Sequence, residues 1–449
     1  MHQLLTISPL DGRYAEQTKE LTEYFSEYAL IKYRLMLEIE YLIFLNKYTK
    51  IFKAFTVEQT KDLKNIYLNF SIDDAEQIKD TEKETNHDVK AIEYFLRTKI
   101  NNLDLSTVSP FIHFALTTED INNLAYHLMW QDAVQKIYLP NTEKLIAELK
   151  KLSKKYSDTS LLSLTHGQPA TPTTLGKELN VFASRLERQT TQLKKHKLQG
   201  KLNGATGTFG AHHLAYPEMD WLDFSQKFIT HLNLEPNLLT TQVESNDSLV
   251  ESYQNIFRIN SILTDFCRDL WLYISRGIFL QENKTGEIGS STMPHKINPI
   301  QFENAEGNLG LANSAFNHLA SVLPISRMQR DLSNSTVTRN QGVPLAHSIL
   351  AVKQILNGLN RLTINQTKID QELNEHWEVL TEAIQTVLRK FGETQAYEKI
   401  KLLSRGSKFN QNNLHKIIEE TNLPREEKNK LLKLTPSSYL GLAKKLAEL

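Results

Sequence analysis

Residues 244–282 read ESNDSLVESYQNIFRINSILTDFCRDLWLYISRGIFLQE, with no proline and with Gly277 as the only glycine. Mostly apolar residues recur there in steps of three and four, which places them on one face of an α-helix. Its members are Leu249, Tyr253, Ile256, Asn260, Leu263, Cys267, Leu270 and Ile274. A helix over the whole segment is about 55 Å long at about 1.5 Å per residue, longer than most helices of globular domains. The segment therefore predicts a bundle built from unusually long helices.

Four further segments continue this pattern and predict a central bundle of five long helices. Leu, Lys, Glu, Gln and Ala dominate the chain, and alternating β-branched runs are scarce, so the expected fold class is all-α. The four segments are residues 119–156 with a kink at Pro140, residues 173–196, a helix that Asn298 caps and that runs from Pro299 to Leu323, and residues 339–362, bent or begun near Pro344.

The two ends of the chain differ from this central part, because their helical patterns are shorter and are broken by glycine and proline. We expect an N-terminal helical domain over residues 1–110, the long-helix bundle over 111–365 and a small helical domain over 366–449. Long helices with wide apolar stripes bury poorly in a monomer, so several bundles are expected to associate.

Charge and cysteine content exclude several classes of function. The chain has 52 basic and 52 acidic residues, so no global field favours nucleic acid or a membrane surface. No apolar run approaches the roughly 20 residues of a membrane span, and residues 1–11 lack the pattern of a signal peptide. Cys267 is the only cysteine, which excludes an intramolecular disulfide and fits a reducing cytoplasm. A cytoplasmic protein with a small-molecule ligand is expected.

The most informative break in the helical pattern is GEIGSSTMPHKINP, residues 286–299. Two glycines, three hydroxyl side chains, a histidine and a lysine lie there between two long helices. Hydroxyl donors, Lys296 and the free amides at a capped helix start suit an anionic ligand. A polar surface loop with an ordinary helix cap is the competing interpretation.

Two further breaks each present a histidine. In THGQPATP, residues 165–172, two prolines and a glycine predict a tight turn that holds His166 at a set angle for proton transfer. A structural or solvated histidine is the alternative. In TNHDVK, residues 85–90, Asp88 is the expected helix cap and presents His87, and plain capping explains this segment equally well.

The remaining breaks carry hydroxyl groups and arginines. Thr118 is expected to cap the long helix that follows it. Arg330 and Arg339 lie near helix ends and suit a phosphate or carboxylate, although arginines in such places are as often solvated.

Two motifs that suggest a cofactor do not meet its requirements. Gly204, Gly207 and Gly210 are spaced GxxGxxG, which is neither a dinucleotide fingerprint nor a P-loop, and no strand leads into it. His212 and His213 lack a third ligand at a convincing spacing for zinc. No metal or organic cofactor is expected.

Taken together, these breaks resemble the fumarase/aspartase superfamily of lyases. Its signature loop, GSSxMPxKxNP, is matched at every fixed position by residues 289–299. Three more segments are similar to the bacterial adenylosuccinate lyase branch and occur in the same order along the chain. They are SPLDGRY (8–14), NHDVKAIEYFL (86–96) and THGQPATP (165–172).

The resemblance implies a fold, an assembly and a reaction. The fold is a central five-helix bundle with two smaller helical domains, and the assembly is a homotetramer with a twenty-helix core. Each active site takes residues from three subunits and needs no cofactor. The reaction releases fumarate from adenylosuccinate, giving AMP, and from succinyl-aminoimidazole carboxamide ribotide, giving AICAR. The ligand is thus a phosphorylated nucleotide.

The resemblance also implies roles for individual residues. Ser290 is the expected general base and His166 the general acid. The residues expected to bind the succinyl carboxylates are Thr117, Thr118, Ser291, Lys296 and Asn298. Those expected to serve phosphate, ribose and base are Arg13, Tyr14, His87, Arg330, Ser335 and Arg339. Gln242 is expected to orient the substrate, and Asn86, Asp88, Asn304 and Thr336 complete the substrate-binding set.

Two competing interpretations remain open on the sequence. Another lyase of the superfamily, such as an argininosuccinate lyase, differs in the group that leaves. A catalytically inactive helical assembly is the other, although such a scaffold has no need of Ser290, His166, Lys296 and His87 together.

Overall fold

A computed structural model describes residues 3–282, 293, 295–404 and 409–449. Polar residues begin the early helices: Ser26, Thr56 and Ser71 each accept a backbone N–H three residues ahead, which satisfies a donor that the helix leaves free. The helices before residue 110 are α1 Ala15–Thr18, α2 Thr22–Phe25, α3 Glu27–Thr49, α4 Val57–Leu68, α5 Ile72–Thr85 and α6 Asp88–Asn102.

The rest of the described chain is also mainly helical, so the prediction of an all-α fold is confirmed. The middle helices are α7 Thr118–Ala133, α8 Leu139–Lys155, α9 Leu175–Lys195, α10 Gly210–Ala215, α11 Trp221–His231, α12 Asp247–Ser275, α13 Ile300–Val322, α14 Ser333–Thr338 and α15 Gly342–Leu359. The C-terminal helices are α16 Gln366–Glu375, α17 Thr381–Lys390, α18 Ala396–Ser404, α19 Gln411–Glu419, α20 Arg425–Leu432 and α21 Ala443–Ala447.

The strands within the described residues are two or three residues long. They are β1 Ser160–Leu161, β2 Leu164–Thr165, β3 Gln168–Pro169, β4 Thr173–Thr174, β5 Gln199–Gly200, β6 Glu235–Pro236, β7 Phe279–Gln281 and β8 Leu362–Ile364. They form four two-stranded pairs: β1 with β4, β2 with β3, β5 with β6 and β7 with β8. Only β5 and β6 run parallel among them.

The longest predicted helix is shorter than the sequence pattern indicates. α12 has 29 residues and ends at Ser275, because Gly277 has a φ of 75° and turns the backbone out of the helix. The apolar residues that follow form β7, which pairs with β8. Their apolar character therefore reflects a buried strand end rather than a continued helix.

The expected kink at Pro140 takes the form of a π-helical turn. Val134–Tyr138 form this turn between α7 and α8, and Pro140 is the second residue of α8. Proline has no N–H and clashes with the carbonyl four residues earlier, and a widened turn is one way for a helix to continue past it.

Of two other helix starts, one differs from the predicted start and one agrees with it. α13 begins at Ile300, and the carbonyl of Pro299 accepts the N–H groups of Phe302 and Glu303, so the helix starts one residue later than predicted. α15 begins at Gly342 with Pro344 in its first turn, which agrees with a start near Pro344. The preceding residues belong to the separate helix α14.

One compact unit comprises the residues up to Thr142, Gln189–Ser261 and Gly307–Ala351. Apolar side chains of α3 to α6 form its first core, including Ile31, Leu35, Ile39, Leu42, Leu63, Ile78, Ile92 and Leu96. A second core is aromatic: the ring of Trp130 lies edge-on to Tyr253 at 4.6 Å and to Phe316 at 6.1 Å. Burial of such side chains stabilises the fold by roughly 1.5–3 kcal/mol each and fixes the helix ends nearby.

The other compact unit comprises Glu143–Arg188, Ile262–Glu306 and Val352–Leu449. Its helices pack through rings such as Phe182 and Phe266, 5.1 Å apart. Its C-terminal end is attached by the Ser153 hydroxyl, which donates to the carbonyl of Ala447 at 2.6 Å. Across the part of the chain that the structure describes, no helix has the length and apolar composition of a membrane span.

Candidate active site

The NHDVK segment forms the junction between α5 and α6. Asn86 ends α5 in the left-handed conformation, with a φ of 53°. His87 caps α6, because its Nδ1 accepts the N–H of Lys90 at 3.1 Å, so the prediction that Asp88 is the cap is wrong by one residue. Since Nδ1 is an acceptor, the proton of the neutral ring is on Nε2, which is left as a donor.

His87 stands in a cleft of about 670 Å³ within the first compact unit. This depression, the His87 cleft, is lined from α5, α6, α7 and the segment around α14. The lining residues are Lys79, Glu82, Lys83, Asn86, His87, Asp88, Thr118, Asn122, Arg330, Leu332, Ser335, Thr336 and Arg339. Eight residues of the predicted substrate-binding set are thus brought together: Asn86, His87, Asp88, Thr118, Arg330, Ser335, Thr336 and Arg339.

A chain of alternating charges supports one side of the His87 cleft. The buried Arg34 guanidinium lies 2.9 Å from Asp88, and Asp88 also pairs with Arg339 at 3.2 Å. Arg339 continues to Glu27 at 3.4 Å, and Glu27 to Lys79 at 3.3 Å. Each charge therefore has an opposite neighbour, which holds long side chains in one arrangement.

The pKa of Asp88 reflects this network. Burial of the carboxyl opposes its ionisation, but the Arg34 charge, the N–H of Val89 and the Arg339 charge outweigh burial and lower its pKa below the ordinary value. Asp88 is therefore an anion at neutral pH and acts as an acceptor.

A second ion pair lies where α7 begins. Arg330 approaches Glu119 at 3.3 Å, and both side chains are mostly shielded, with 21% and 16% of their surface exposed. Burial raises the pKa of the Glu119 carboxyl above its usual value, although the charges of Arg330 and Lys201 act in the opposite direction.

The start of α7 also brings Thr117 and Gln242 together. Thr117 is the N-cap and Thr118 the first helical residue, so the prediction that Thr118 caps the helix is wrong by one residue. The Gln242 amide donates to the Thr117 hydroxyl at 3.1 Å. Asp120 accepts the Thr117 N–H at 2.9 Å and forms a fully buried pair with Lys201, also at 2.9 Å. This buried pair anchors the helix start beneath the hydroxyl groups.

Gly207 has a structural role beside the segment that carries Gln242. Its φ is 74°, and a Cβ there would lie 2.2 Å from the carbonyl oxygen of Thr240 and 2.9 Å from that of Thr241. Only glycine permits this approach of two backbones. Gly207, one of the three glycines whose spacing fits no nucleotide-binding motif, thus serves close packing.

His166 lies at the tip of a β-hairpin in the second compact unit. β2 and β3 pair through Thr165 and Gln168, which leaves a two-residue turn of His166 and Gly167. Their φ angles are 54° and 73°, so both are left-handed, as the type I′ turn requires. The predicted tight turn is thus a hairpin, and a histidine rarely adopts this conformation.

The signature loop is described only in part. Ser290 and Ser291 lie outside the described residues. Lys296 is exposed, and Asn298 is half-buried just before α13. Asn304 is half-buried within α13. Lys296, Asn298 and Asn304 all belong to the second compact unit.

Arg13 and Tyr14 do not line the His87 cleft. Tyr14 precedes α1, and the guanidinium of Arg13 lies 5.9 Å from the Tyr14 ring. The described residues of this chain thus do not bring these two predicted substrate-binding residues to the other eight.

Comparisons with known proteins identify the family. A family model described as Lyase matches residues 12–313, and one described as Adenylosuccinate lyase C-terminal matches residues 326–440. The adenylosuccinate lyase of Buchnera aphidicola (subsp. Schizaphis graminum) is 49% identical over 100% of this chain and 99% of its own. That of Legionella pneumophila (strain Corby) is 48% identical, and that of Escherichia coli (strain K12) 47%, each over 99% of this chain and 98% of its own.

This chain belongs to the adenylosuccinate lyase family. The resemblance inferred from the signature loop and the three other segments is confirmed, and the chain is a lyase. Solved structures of more distant proteins share the fold. A fumarate lyase from Mesorhizobium sp. BNC1 matches with a TM-score of 0.75 at 18% identity, covering 96% of each chain. A 3-carboxy-cis,cis-muconate lactonizing enzyme from Pseudomonas putida matches with 0.74 at 20%, covering 96% of this chain and 95% of its own.

The cleft of this adenylosuccinate lyase family member also contains residues that the sequence prediction missed. They are Lys79, Glu82, Lys83, Asn122 and Leu332. Helical spacing is a signal for three of them. Lys79 and Lys83 lie four residues apart on the last turns of α5, directly before NHDVK, and Asn122 lies four residues after Thr118, so each pair shares a helix face.

Proposed function

We propose that this chain eliminates fumarate from adenylosuccinate, giving AMP, and from succinyl-aminoimidazole carboxamide ribotide, giving AICAR. Both reactions belong to purine nucleotide biosynthesis. The observation that carries the proposal is the 47–49% identity to adenylosuccinate lyases over nearly the full length of both partners. Both substrates join a succinyl group to an exocyclic nitrogen and carry a ribose phosphate, so one site can serve both.

The His87 cleft supports the nucleotide part of this proposal. Positive charge around the cleft comes from Lys79, Lys83, Arg330 and Arg339. His87 adds a hydrogen-bond donor at the cleft wall, its Nε2–H, because its Nδ1 accepts the N–H of Lys90. Guanidinium groups bind phosphate through two parallel hydrogen bonds. We assign phosphate, ribose and base to His87, Arg330, Ser335 and Arg339 of this cleft, with Asn86, Asp88 and Thr336 beside them. We retain Arg13 and Tyr14 as proposed ligands of the same groups.

The succinyl carboxylates are assigned to hydroxyl and cationic groups. The paired Thr117 and Gln242 support this assignment, because an amide that donates to the hydroxyl orients it. Thr118, Ser291, Lys296 and Asn298 complete the proposed set, with Asn304 beside them in sequence. Fixed positive charge is needed here, since a second negative charge develops on one carboxylate during the reaction.

The proposed chemistry is a β-elimination. Ser290 removes a proton from the carbon next to a carboxylate, and the electron pair spreads onto that carboxylate as a dianion. The pair then forms the double bond of fumarate as the carbon–nitrogen bond breaks, and His166 protonates the leaving nitrogen. Serine is a weak base, so the positive charge of Lys296 and exclusion of water are required to assist it.

The assembly, compartment and domain division complete the proposal. We propose a homotetramer with a twenty-helix core, in which three subunits contribute residues to each active site. The proposed reaction uses no cofactor. The cytoplasm is the proposed compartment, because a chain whose single cysteine is Cys267 fits a reducing environment. The proposed domains remain residues 1–110, 111–365 and 366–449.

The test is turnover of three separate substrates by the purified chain, followed through ultraviolet absorbance and fumarate release. Adenylosuccinate and the ribotide are expected to be cleaved, and argininosuccinate is not. Ser290→Ala is expected to lower kcat by several orders of magnitude with the assembly intact. Cleavage of argininosuccinate alone, or of none of the three, would contradict the proposal in favour of another lyase or an inactive assembly.

A further inference from the structure

Glu119 is a carboxylate that the reaction scheme leaves without a role, although it pairs with a residue that lines the cleft. Its Oε2 lies 3.3 Å from an Nη of Arg330, and Arg330 lines the His87 cleft. The residues on either side of it along the cleft wall, Thr118 and Asn122, line the cleft as well. Glu119 thus pairs with the guanidinium to which the phosphate is assigned.

The backbone holds Glu119 in place independently of Arg330. It is the second residue of α7, and its carbonyl accepts the side-chain amide of Asn123 at 2.6 Å. Its carboxylate is therefore presented from a rigid helix start, where the helix dipole favours a negative charge. Arg330, in contrast, precedes α14 outside any long helix. The carboxylate therefore extends from the first turn of a long helix, and the guanidinium from a segment between helices.

We propose that Glu119 is the counter-ion that the phosphate group of the nucleotide replaces at Arg330. It is a positioning residue, and it sets how tightly the cleft holds a phosphate. This inference rests on the proposed function, because it takes the ligand of Arg330 to be the nucleotide phosphate.

Two effects each make the Glu119 carboxylate weaken phosphate binding. Without ligand, its carboxylate competes with the phosphate for the guanidinium. With ligand, any negative charge that remains on Glu119 repels the phosphate a few ångströms away. Burial raises the pKa of the Glu119 carboxyl, although the charges of Arg330 and Lys201 and a hydrogen bond from Asn122 act in the opposite direction. This direction fits a carboxylate whose charge is only partly compensated.

The experiment compares binding of AMP and adenosine to the full chain by calorimetry. Glu119→Gln removes the charge and keeps an oxygen acceptor for Arg330, so AMP affinity is expected to rise about three- to ten-fold. Adenosine has no phosphate, and its affinity is expected to stay the same. In turnover, the effect is expected in KM rather than in kcat.

Three further variants make the result specific. Glu82→Gln is the matched control, because Glu82 also lines the cleft but pairs with Lys79 at 2.7 Å, and it is expected to change AMP affinity less. In an Arg330→Met background, Glu119→Gln is expected to change nothing, since the competition is gone. Glu119→Asp shortens the carboxylate by one carbon and is expected to give an intermediate gain, which serves if the glutamine variant folds poorly.

Several results would overturn the inference. They are weaker AMP binding by Glu119→Gln, an equal gain from Glu82→Gln, or a gain for adenosine as well as AMP. Failure of the proposed function looks different, because the wild-type chain would then neither bind AMP nor cleave adenylosuccinate. Normal turnover with an unchanged AMP affinity in Glu119→Gln contradicts the counter-ion role alone.

Discussion

The His87 cleft and the His166 hairpin hold their functional side chains by different means. In the cleft, oppositely charged neighbours fix the arginines and Asp88, from the buried Arg34 to the half-exposed Lys79. At the hairpin, two consecutive left-handed residues fix the direction of one exposed imidazole. One region is organised by side-chain electrostatics, and the other by backbone geometry.

The difference corresponds to what each region is proposed to do. A phosphate is a large, diffuse anion, and several cations can share the work of binding it. Proton transfer needs one group at one angle within hydrogen-bonding distance. We therefore expect the cleft to respond gradually to single substitutions and the hairpin to respond in an all-or-none manner.

The largest effect is expected from His166→Asn. Asparagine tolerates the left-handed conformation, so this change removes the imidazole and preserves the turn. kcat for adenylosuccinate is expected to fall about 10²- to 10⁴-fold, the usual contribution of general acid catalysis. Steady-state kinetics measure the loss, and AMP affinity is expected to stay the same because the His87 cleft is untouched.

His231→Asn is the matched control for this substitution. His231 is half-exposed at the end of α11 and pairs with Glu40 at 3.5 Å, away from every proposed ligand residue in sequence. Turnover by this variant is expected to match the wild type. Near-normal fumarate release by His166→Asn would show that the reaction does not require the imidazole.

The second effect concerns the stability of the charge network. Arg34→Met removes a side chain that is 1% exposed and leaves Asp88 with Arg339 as its remaining partner in the described network. Breaking a buried ion pair by removing one partner costs about 3 kcal/mol or more. The free energy of unfolding, measured by urea denaturation, is expected to fall by that amount, and KM is expected to rise.

Arg258→Met provides the comparison for Arg34→Met. Arg258 is exposed and donates to Gln189 and Gln192 on the surface, so its loss is expected to change stability by less than about 0.5 kcal/mol. Equal urea midpoints for the two variants would show that the network contributes no more than surface contacts.

The contrast between the two regions also explains what the sequence could predict. The hairpin is a local structure, and the local sequence predicts its turn, because Gly167 and two prolines lie within eight residues. The sequence predicts the caps of α6 and α7 within one residue, because most capping residues come from a short list. Which nearby residue caps depends on side-chain geometry. Thr117 caps instead of Thr118, and His87, which is not a usual capping residue, caps instead of Asp88.

The charge network could not be predicted in the same way. Arg339 and Glu27 are 312 positions apart in the chain, and Glu119 and Arg330 are also separated by several helices. Nothing in local periodicity relates such residues, because only the packed fold brings them together. The sequence singled out several cleft residues, and the family resemblance supplied their roles, whereas their partners Arg34, Glu27 and Glu119 were not predicted.

The smallest effect tests whether backbone geometry alone positions His166. Gly167 has a φ of 73°, and a Cβ there would meet no atom within 4 Å. Gly167→Ala therefore introduces conformational strain and no clash, at a cost of about 1–2 kcal/mol. A turn that relaxes to avoid this cost moves the imidazole, and kcat is expected to fall up to about ten-fold.

Gly167→Asn is the matched variant, because asparagine tolerates the left-handed region, and it is expected to retain most of the activity. If alanine and asparagine give the same kcat as glycine, the turn does not direct His166, and its position depends on contacts with other side chains, as in the His87 cleft.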